Sequence, residues 1–223
     1  MKIIPSILES STENIINQLR KLKPFFTRIQ IDIADGSYVP NKTIELPTLI
    51  HILVNLPDIS QYILDFHLMT NQVSANLKLL RSVQSYLRLG IVFIHRPSFQ
   101  SQHRVDTDTF RYGLVLNPED SVASVAKEID LHSLSEIQIM TVHPGFQGQV
   151  FIQEELNKID QLRSTGYRSH ITIDGGVNDE TLSLILQLKH LPDSVVVGSY
   201  FSKSNDIQKS VEKLKKSVKE SAN

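Results

Sequence analysis

Apolar and polar residues alternate in short runs along this chain, and longer amphipathic stretches separate the runs. In RIQIDIADGSYVPN, residues 28–41, Ile29, Ile31 and Ile33 alternate with Gln30, Asp32 and Ala34 before Asp35-Gly36 signals a turn. Side chains alternate between the faces of a strand, so the isoleucines share one face and Gln30 and Asp32 the other. The same reading predicts strands at KIIPSI (2–7), RIQIDI (28–33), YILDFHL (62–68) and RLGIVFIH (88–95). It predicts four more at YGLVLN (112–117), EIQIMTV (136–142), HITIDG (170–175) and SVVVGS (194–199).

Helical spacing fills the intervals. TENIINQLRKL follows Ser10, with Glu13 placed for a capping box. LPTLIHILVNL, VSANLKLLRSVQSYL, EDSVASVAKEI, EELNKIDQLRS, DETLSLILQLK and DIQKSVEKLKKSVKE continue the pattern, and RPSFQSQHRVDTDTF after the fourth strand is the poorest helix of the set. Strands regularly followed by helices imply parallel pairing. Eight such units predict an α/β chain folded as a single (β/α)₈ barrel over residues 1–223. The competing open, doubly wound sheet usually carries Gly-x-Gly-x-x-Gly after its first strand, which is absent, and no shift in composition marks a second domain.

Composition narrows the function classes. The 223 residues contain no cysteine, which excludes a disulfide framework, a thiol nucleophile and a thiolate metal site. Lys and Arg number 23 against 24 Asp and Glu, a formal net charge of −1, which argues against nucleic acid as a partner. The basic C-terminal run KSVEKLKKSVKE has its charges at helical spacing and reads as a solvated helix face. MKIIPSILESSTE reaches polar residues too soon for a signal peptide, and no apolar run has the ~20 residues of a spanning helix. The expectation is a cytoplasmic protein with no membrane partner.

Candidate chemistry falls where a barrel puts it, at the C-terminal ends of strands. Ser6 ends the first predicted strand, Asp32 the second, His67 the third, His95 the fourth and Asp174 the seventh. A carboxylate or imidazole ending strands two, three and seven would converge on one mouth. Glycine-rich loops follow strands six, seven and eight: HPGFQGQ (143–149), IDGGVN (173–178) and VVVGSYF (195–201). Glycine lets backbone N–H groups approach an anion, and barrel phosphate sites lie after strands seven and eight. A phosphorylated ligand would place its phosphate near Gly175, Gly176, Gly198 and Ser199 and its reacting carbons near Asp32, His67 and Asp174. His95 could line the site, whereas His143 reads as a loop residue, and His51, His103, His132, His170 and His190 receive no role.

An ordered series of motifs adds a resemblance. PSIL, DxxDGxxVPN, LDxHLM, LVLNP, MTVxPGFxGQxF, IDGGVN and VVGS run through nearly the whole chain. Together they resemble the ribulose-phosphate 3-epimerase family. The resemblance implies a ribulose-phosphate-binding (β/α)₈ barrel that interconverts D-ribulose 5-phosphate and D-xylulose 5-phosphate with one divalent metal ion: Zn, or else Mn, Fe, Co or Mg. It implies that Asp32 and Asp174 are acid/base groups and metal ligands, that His67 is a metal ligand and that Ser6 contacts substrate. Gly145, Phe146, Gln147, Gly148, Gly175, Gly176, Gly198 and Ser199 correspond to the substrate and phosphate loops. The implied partner is a phosphorylated ketose, with a homo-oligomer possible.

Several positions depart from that family pattern. Gln30 stands where most members carry a histidine that is the fourth metal ligand, Ala34 where they carry Met, and Gln147 where a glycine is usual. PFFTR and LPDS replace a usual Gly-Ala-Asp before strands two and eight. An amide carbonyl is a weaker and harder ligand than imidazole. Gln30 could hold the metal weakly, could leave a metal-free sugar-phosphate binder, or could hydrogen-bond a substrate hydroxyl. The alternatives to ribulose-phosphate epimerisation are thus a non-catalytic relative and an epimerase for a hexulose phosphate such as allulose 6-phosphate. Decarboxylation of the orotidine-phosphate type needs a lysine on strand three, where this chain has Asp65, His67 and Thr70.

Overall fold

The structure, a computed structural model, describes residues 1–101 and 111–221. Its strands are β1 (Lys2–Ile7), β2 (Arg28–Ala34), β3 (Ile63–Met69), β4 (Arg88–His95), β5 (Arg111–Leu116), β6 (Glu136–Met140), β7 (His170–Asp174) and β8 (Ser194–Val197). They hydrogen-bond in the order β1-β2-β3-β4-β5-β6-β7-β8 as a closed barrel, the (β/α)₈ architecture expected. The chain comprises two compact units, Ser6–Leu114 and Met1–Pro5 with Val115–Asn223.

In the first unit, helices α1 (Thr12–Leu22), α2 (Leu46–Val54) and α3 (Val73–Ser82) follow β1, β2 and β3. The cap of α1 lies one residue beyond the expected place: Ser11, not Ser10, accepts from Asn14 N, which puts Glu13 one position too early to complete a capping box. α3 stops at Ser82 instead of running to Leu87 because its last turn tightens, with Val83 N donating to Leu80 O. β2 buries both faces. Ile29, Ile31 and Ile33 are buried, and so are Gln30 and Asp32, so polarity there does not mean exposure. Each such isoleucine contributes about 1.5–3 kcal/mol of burial.

β3 and β4 carry the irregularity of this unit. Leu64 faces Leu89, but Phe66 faces Val92, so Gly90 and Ile91 together oppose Asp65. Ile91 N donates to Asp65 Oδ1 at 2.7 Å. The other carboxylate oxygen accepts from Arg28 Nε at 2.7 Å, so the buried charge is paired. A Cβ on Gly90 would collide with Asp65 Oδ1.

In the second unit, α5 (Val122–Glu128), α6 (Asn157–Ser164), α7 (Asp179–Ile185), α8 (Ser199–Ser202) and α9 (Ile207–Glu220) accompany β6 to β8. Asn178 caps α7 in a reciprocal capping box with Thr181. Strands β6 and β8 end at Met140 and Val197, short of the predicted Val142 and Ser199. α9 buries Val211 and Leu214 and keeps its lysines outward, which bears out the solvated face read from its charges. After β4, α4 spans Arg96–Ser101, and the rest of the segment read as a poor helix, with His103, lies outside the described residues. Among the described residues no helix is long and apolar enough to cross a membrane.

Candidate active site

Asp32 and His67 face each other across β2 and β3, where the register pairs them directly. His67 Nδ1 lies 3.2 Å from Asp32 Oδ1, and both side chains are buried. The same carboxylate oxygen accepts from Gln30 Nε2 at 2.8 Å. Gln30, fully buried two residues before Asp32, thus engages the carboxylate through the nitrogen end of its amide. On its far side His67 Nε2 lies 2.8 Å from His95 Nε2 at the end of β4. Tyr38, in the loop after β2, packs its ring on His95 with centroids 4.6 Å apart and a 39° tilt. Ser6 lies buried at the end of β1, in register with Gln30.

The loop after β2 is tied to the end of β3. Thr70 Oγ1 donates to Asp35 Oδ2 at 2.5 Å, and Ser37 donates to Asp35 Oδ1 through both its backbone and its hydroxyl. Burial pushes the Asp35 carboxyl up, but these hydrogen bonds outweigh it and hold Asp35 below the usual aspartate value.

Asp174 ends β7, in register with Met140 of β6. Its Oδ2 accepts from Gln138 Nε2 at 2.8 Å. Gln138 is fully buried, and its Oε1 has no hydrogen-bond partner among the described residues. Sequence reasoning missed this residue. The signal is present in the sequence, since alternation in EIQIM puts Glu136, Gln138 and Met140 on one face.

The expected phosphate loops follow β6, β7 and β8. Gly175 and Gly176 have φ of 119° and 64°, and a Cβ on Gly175 would lie 2.5 Å from Val142 Cγ2. Gly145 and Gly148 also have positive φ, and between them Phe146 is 52 % exposed. Gln147, where the resemblance implied glycine, accepts from Ser202 Oγ of α8 at 3.1 Å, so the departure adds a tie between the β6 loop and the β8 loop. Gly198 precedes the short α8, whose first residue is Ser199. His143 is exposed, and its carbonyl accepts from the Gln149 amide, consistent with a loop role.

Among the described residues, Asp32, His67 and Asp174 form a buried group whose ligand atoms all lie within 4.8 Å of one another. The donor set fits a divalent cation. Two carboxylates balance its charge, and an imidazole with two oxygens suits Zn, Fe, Co or Mn. Three protein ligands with further positions left over are the pattern of catalytic rather than structural sites.

Comparison with known proteins identifies the family. The family model described as the ribulose-phosphate 3 epimerase family matches residues 2–202. A ribulose-phosphate 3-epimerase of Helicobacter pylori is 31 % identical over 222 residues, covering 96 % of each chain. One from Bacillus subtilis is 29 % identical over 227 residues, covering 96 % of this chain and 98 % of its own. Among solved structures, KGPDC from Streptococcus mutans in complex with D-R5P superposes with a TM-score of 0.68 at 13 % identity, covering 98 % of this chain and 97 % of that one. A 3-hexulose-6-phosphate synthase from Salmonella typhimurium also reaches a TM-score of 0.68, at 12 % identity, covering 99 % and 100 %. Those two likenesses speak for the fold alone. The family match and the sequence relatives say more: this chain is an isomerase that belongs to the ribulose-phosphate 3-epimerase family.

Proposed function

We propose that this protein inverts C3 of a ketose phosphate, interconverting D-ribulose 5-phosphate and D-xylulose 5-phosphate, with Asp32 and Asp174 as the two acid/base groups. One aspartate takes the C3 proton from one face of the sugar. The electrons of that C–H bond move into a C2=C3 double bond, and the C2 carbonyl oxygen takes up the negative charge. The other aspartate, as the acid, returns a proton to C3 from the opposite face, and the carbonyl reforms. The observation that carries this reading is the buried Asp32–His67–Asp174 group.

Asp32, His67 and Asp174 would hold the cation, which supplies Lewis-acid stabilisation of the charge developing on the substrate, worth several kcal/mol. Gln30 acts through Asp32, fixing the carboxylate by its N–H, and not as a fourth ligand. Gln138 does the same for Asp174. Ser6 and the loops containing Gly145 to Gly148, Gly175, Gly176, Gly198 and Ser199 receive the substrate, with its phosphate against the glycine backbone. Both carboxylates are buried.

The test is solvent deuterium entering C3 of D-ribulose 5-phosphate, measured for the wild type and for Asp32→Asn and Asp174→Asn. Epimerisation should vanish in both variants while circular dichroism stays unchanged. Near-native turnover in either variant would remove the two-base assignment. Exchange with allulose 6-phosphate but not with the pentulose would move the substrate to the six-carbon sugars.

A further inference from the structure

Two neutral imidazoles share a close nitrogen–nitrogen contact only if one atom carries hydrogen and the other a lone pair. His67 Nε2 and His95 Nε2, 2.8 Å apart and buried, make such a contact. Its direction is decided at the other nitrogen of His67, which faces Asp32 Oδ1 at 3.2 Å. An ionised carboxylate only accepts, so Nδ1 bears the hydrogen, Nε2 keeps the lone pair, and His95 Nε2 donates. A cation on Nδ1 reverses the series. Coordination uses the Nδ1 lone pair, so neutral His67 must carry its hydrogen on Nε2. His95 Nε2 then has to accept, with its own hydrogen on Nδ1. Each ring changes which nitrogen bears its single hydrogen, and no net proton enters or leaves.

We propose that His95 is a positioning residue of the cation site: it accepts the Nε2–H of His67 and so holds the Nδ1 lone pair toward the cation. The inference rests on the cation reading given under Proposed function. Three observations support it. His67 Nε2 is already committed to His95, which leaves Nδ1 as the nitrogen beside the carboxylate. The 3.2 Å between Nδ1 and Asp32 Oδ1 is close to the separation of about 3.3 Å expected for two tetrahedral ligands of one ion, so His67 need not swing to bind. Tyr38, packed on the face of His95, holds the acceptor ring in place.

The experiment uses protein labelled with ¹⁵N in its histidines, stripped with a chelator and then titrated with Zn²⁺. Ring ¹⁵N–¹H correlation spectra should show hydrogen on His67 Nδ1 and His95 Nε2 in the stripped protein. After zinc they should show hydrogen on His67 Nε2 and His95 Nδ1. His95→Phe, which keeps a ring against Tyr38 but cannot accept, should weaken zinc binding about 10- to 100-fold. His95→Gln, whose carbonyl can accept, should recover most of that loss. Thermal melts establish that both variants are folded, and if the Phe variant is not, the spectra and the Gln variant decide. Zinc on Nε2 of His67, or a folded Phe variant that binds zinc as tightly as the wild type, overturns the role of His95 and leaves the cation reading standing. A wild type that takes up no zinc overturns the cation reading and this inference with it.

Discussion

Replacing Gln138 by Leu separates what the amide does for the fold from what it does for Asp174. Gln138 Nε2 donates to Asp174 Oδ2 at 2.8 Å inside the barrel, and its Oε1 is buried without a partner among the described residues. Leucine removes a hydrogen bond to a charged group, worth about 1.5–3 kcal/mol, but also removes an unpaired buried acceptor, whose penalty is about 1–3 kcal/mol. The two nearly cancel in stability, so the unfolding free energy should change by no more than about 2 kcal/mol. They do not cancel in the reaction, because only the first holds the carboxylate proposed as an acid/base group. If that bond is realised fully in the transition state, kcat should fall about 10- to 150-fold with KM little changed. The assay couples xylulose 5-phosphate formation to a reporter enzyme, alongside urea denaturation of the same preparations. A folded variant within about threefold of the wild-type kcat, or a loss confined to KM, would refute the reasoning.

Two other predictions concern the first unit. Arg28→Met leaves Asp65 buried without its guanidinium and should cost about 3–5 kcal/mol, read as a lower urea midpoint; an unchanged midpoint would mean that the pair is not the carboxylate's main support. Asp35 is held below its ordinary value, so the stability it lends is present above the unfolded value of 3.8 and is lost as pH falls through the lower folded one. Thr70→Val should therefore destabilise the protein near neutrality, and its difference from the wild type should shrink in acid. Thr70 Oγ1 also accepts from Gln72 N at 2.9 Å, so part of the difference should remain; a difference that does not shrink at all below 3.8 would show that the threonine does not act through the Asp35 charge.

Local rules carried much of the architecture. α1 spans the eleven residues TENIINQLRKL that its period marked out, and β1 and β4 begin and end where alternation placed them. Asp32, His67 and Asp174 were legible because a barrel sends strand ends to one mouth and because polar residues stood there. The ends of α3 and α7 were not, since the apolar period continues past the point where backbone hydrogen bonds tighten into turns. Gln30 was visible as an anomaly but not in its action. Whether a glutamine presents oxygen or nitrogen depends on its neighbours, and here the neighbour is an acceptor-only carboxylate. Gln138 escaped because it lies one pleat below the strand end, between Ile137 and Ile139.

The extra residue that β4 carries opposite Asp65 also determines which way His95 looks. With an uninterrupted pairing of Leu64 to Leu89, His67 would meet Val92, and parity would turn His95 to the outer side of the wall. The added step makes Phe93 the counterpart of His67, and His95, two positions on, falls on the same side. That step exists because the smallest residue, Gly90, makes room for a carboxylate that satisfies the orphaned Ile91 amide. A lineage that closed the ratchet by deleting one residue here would turn an imidazole away from the site without mutating any histidine. One that enlarged Gly90 would first have to shorten Asp65, so the order of mutational steps is constrained well below the mouth where the chemistry is proposed to occur.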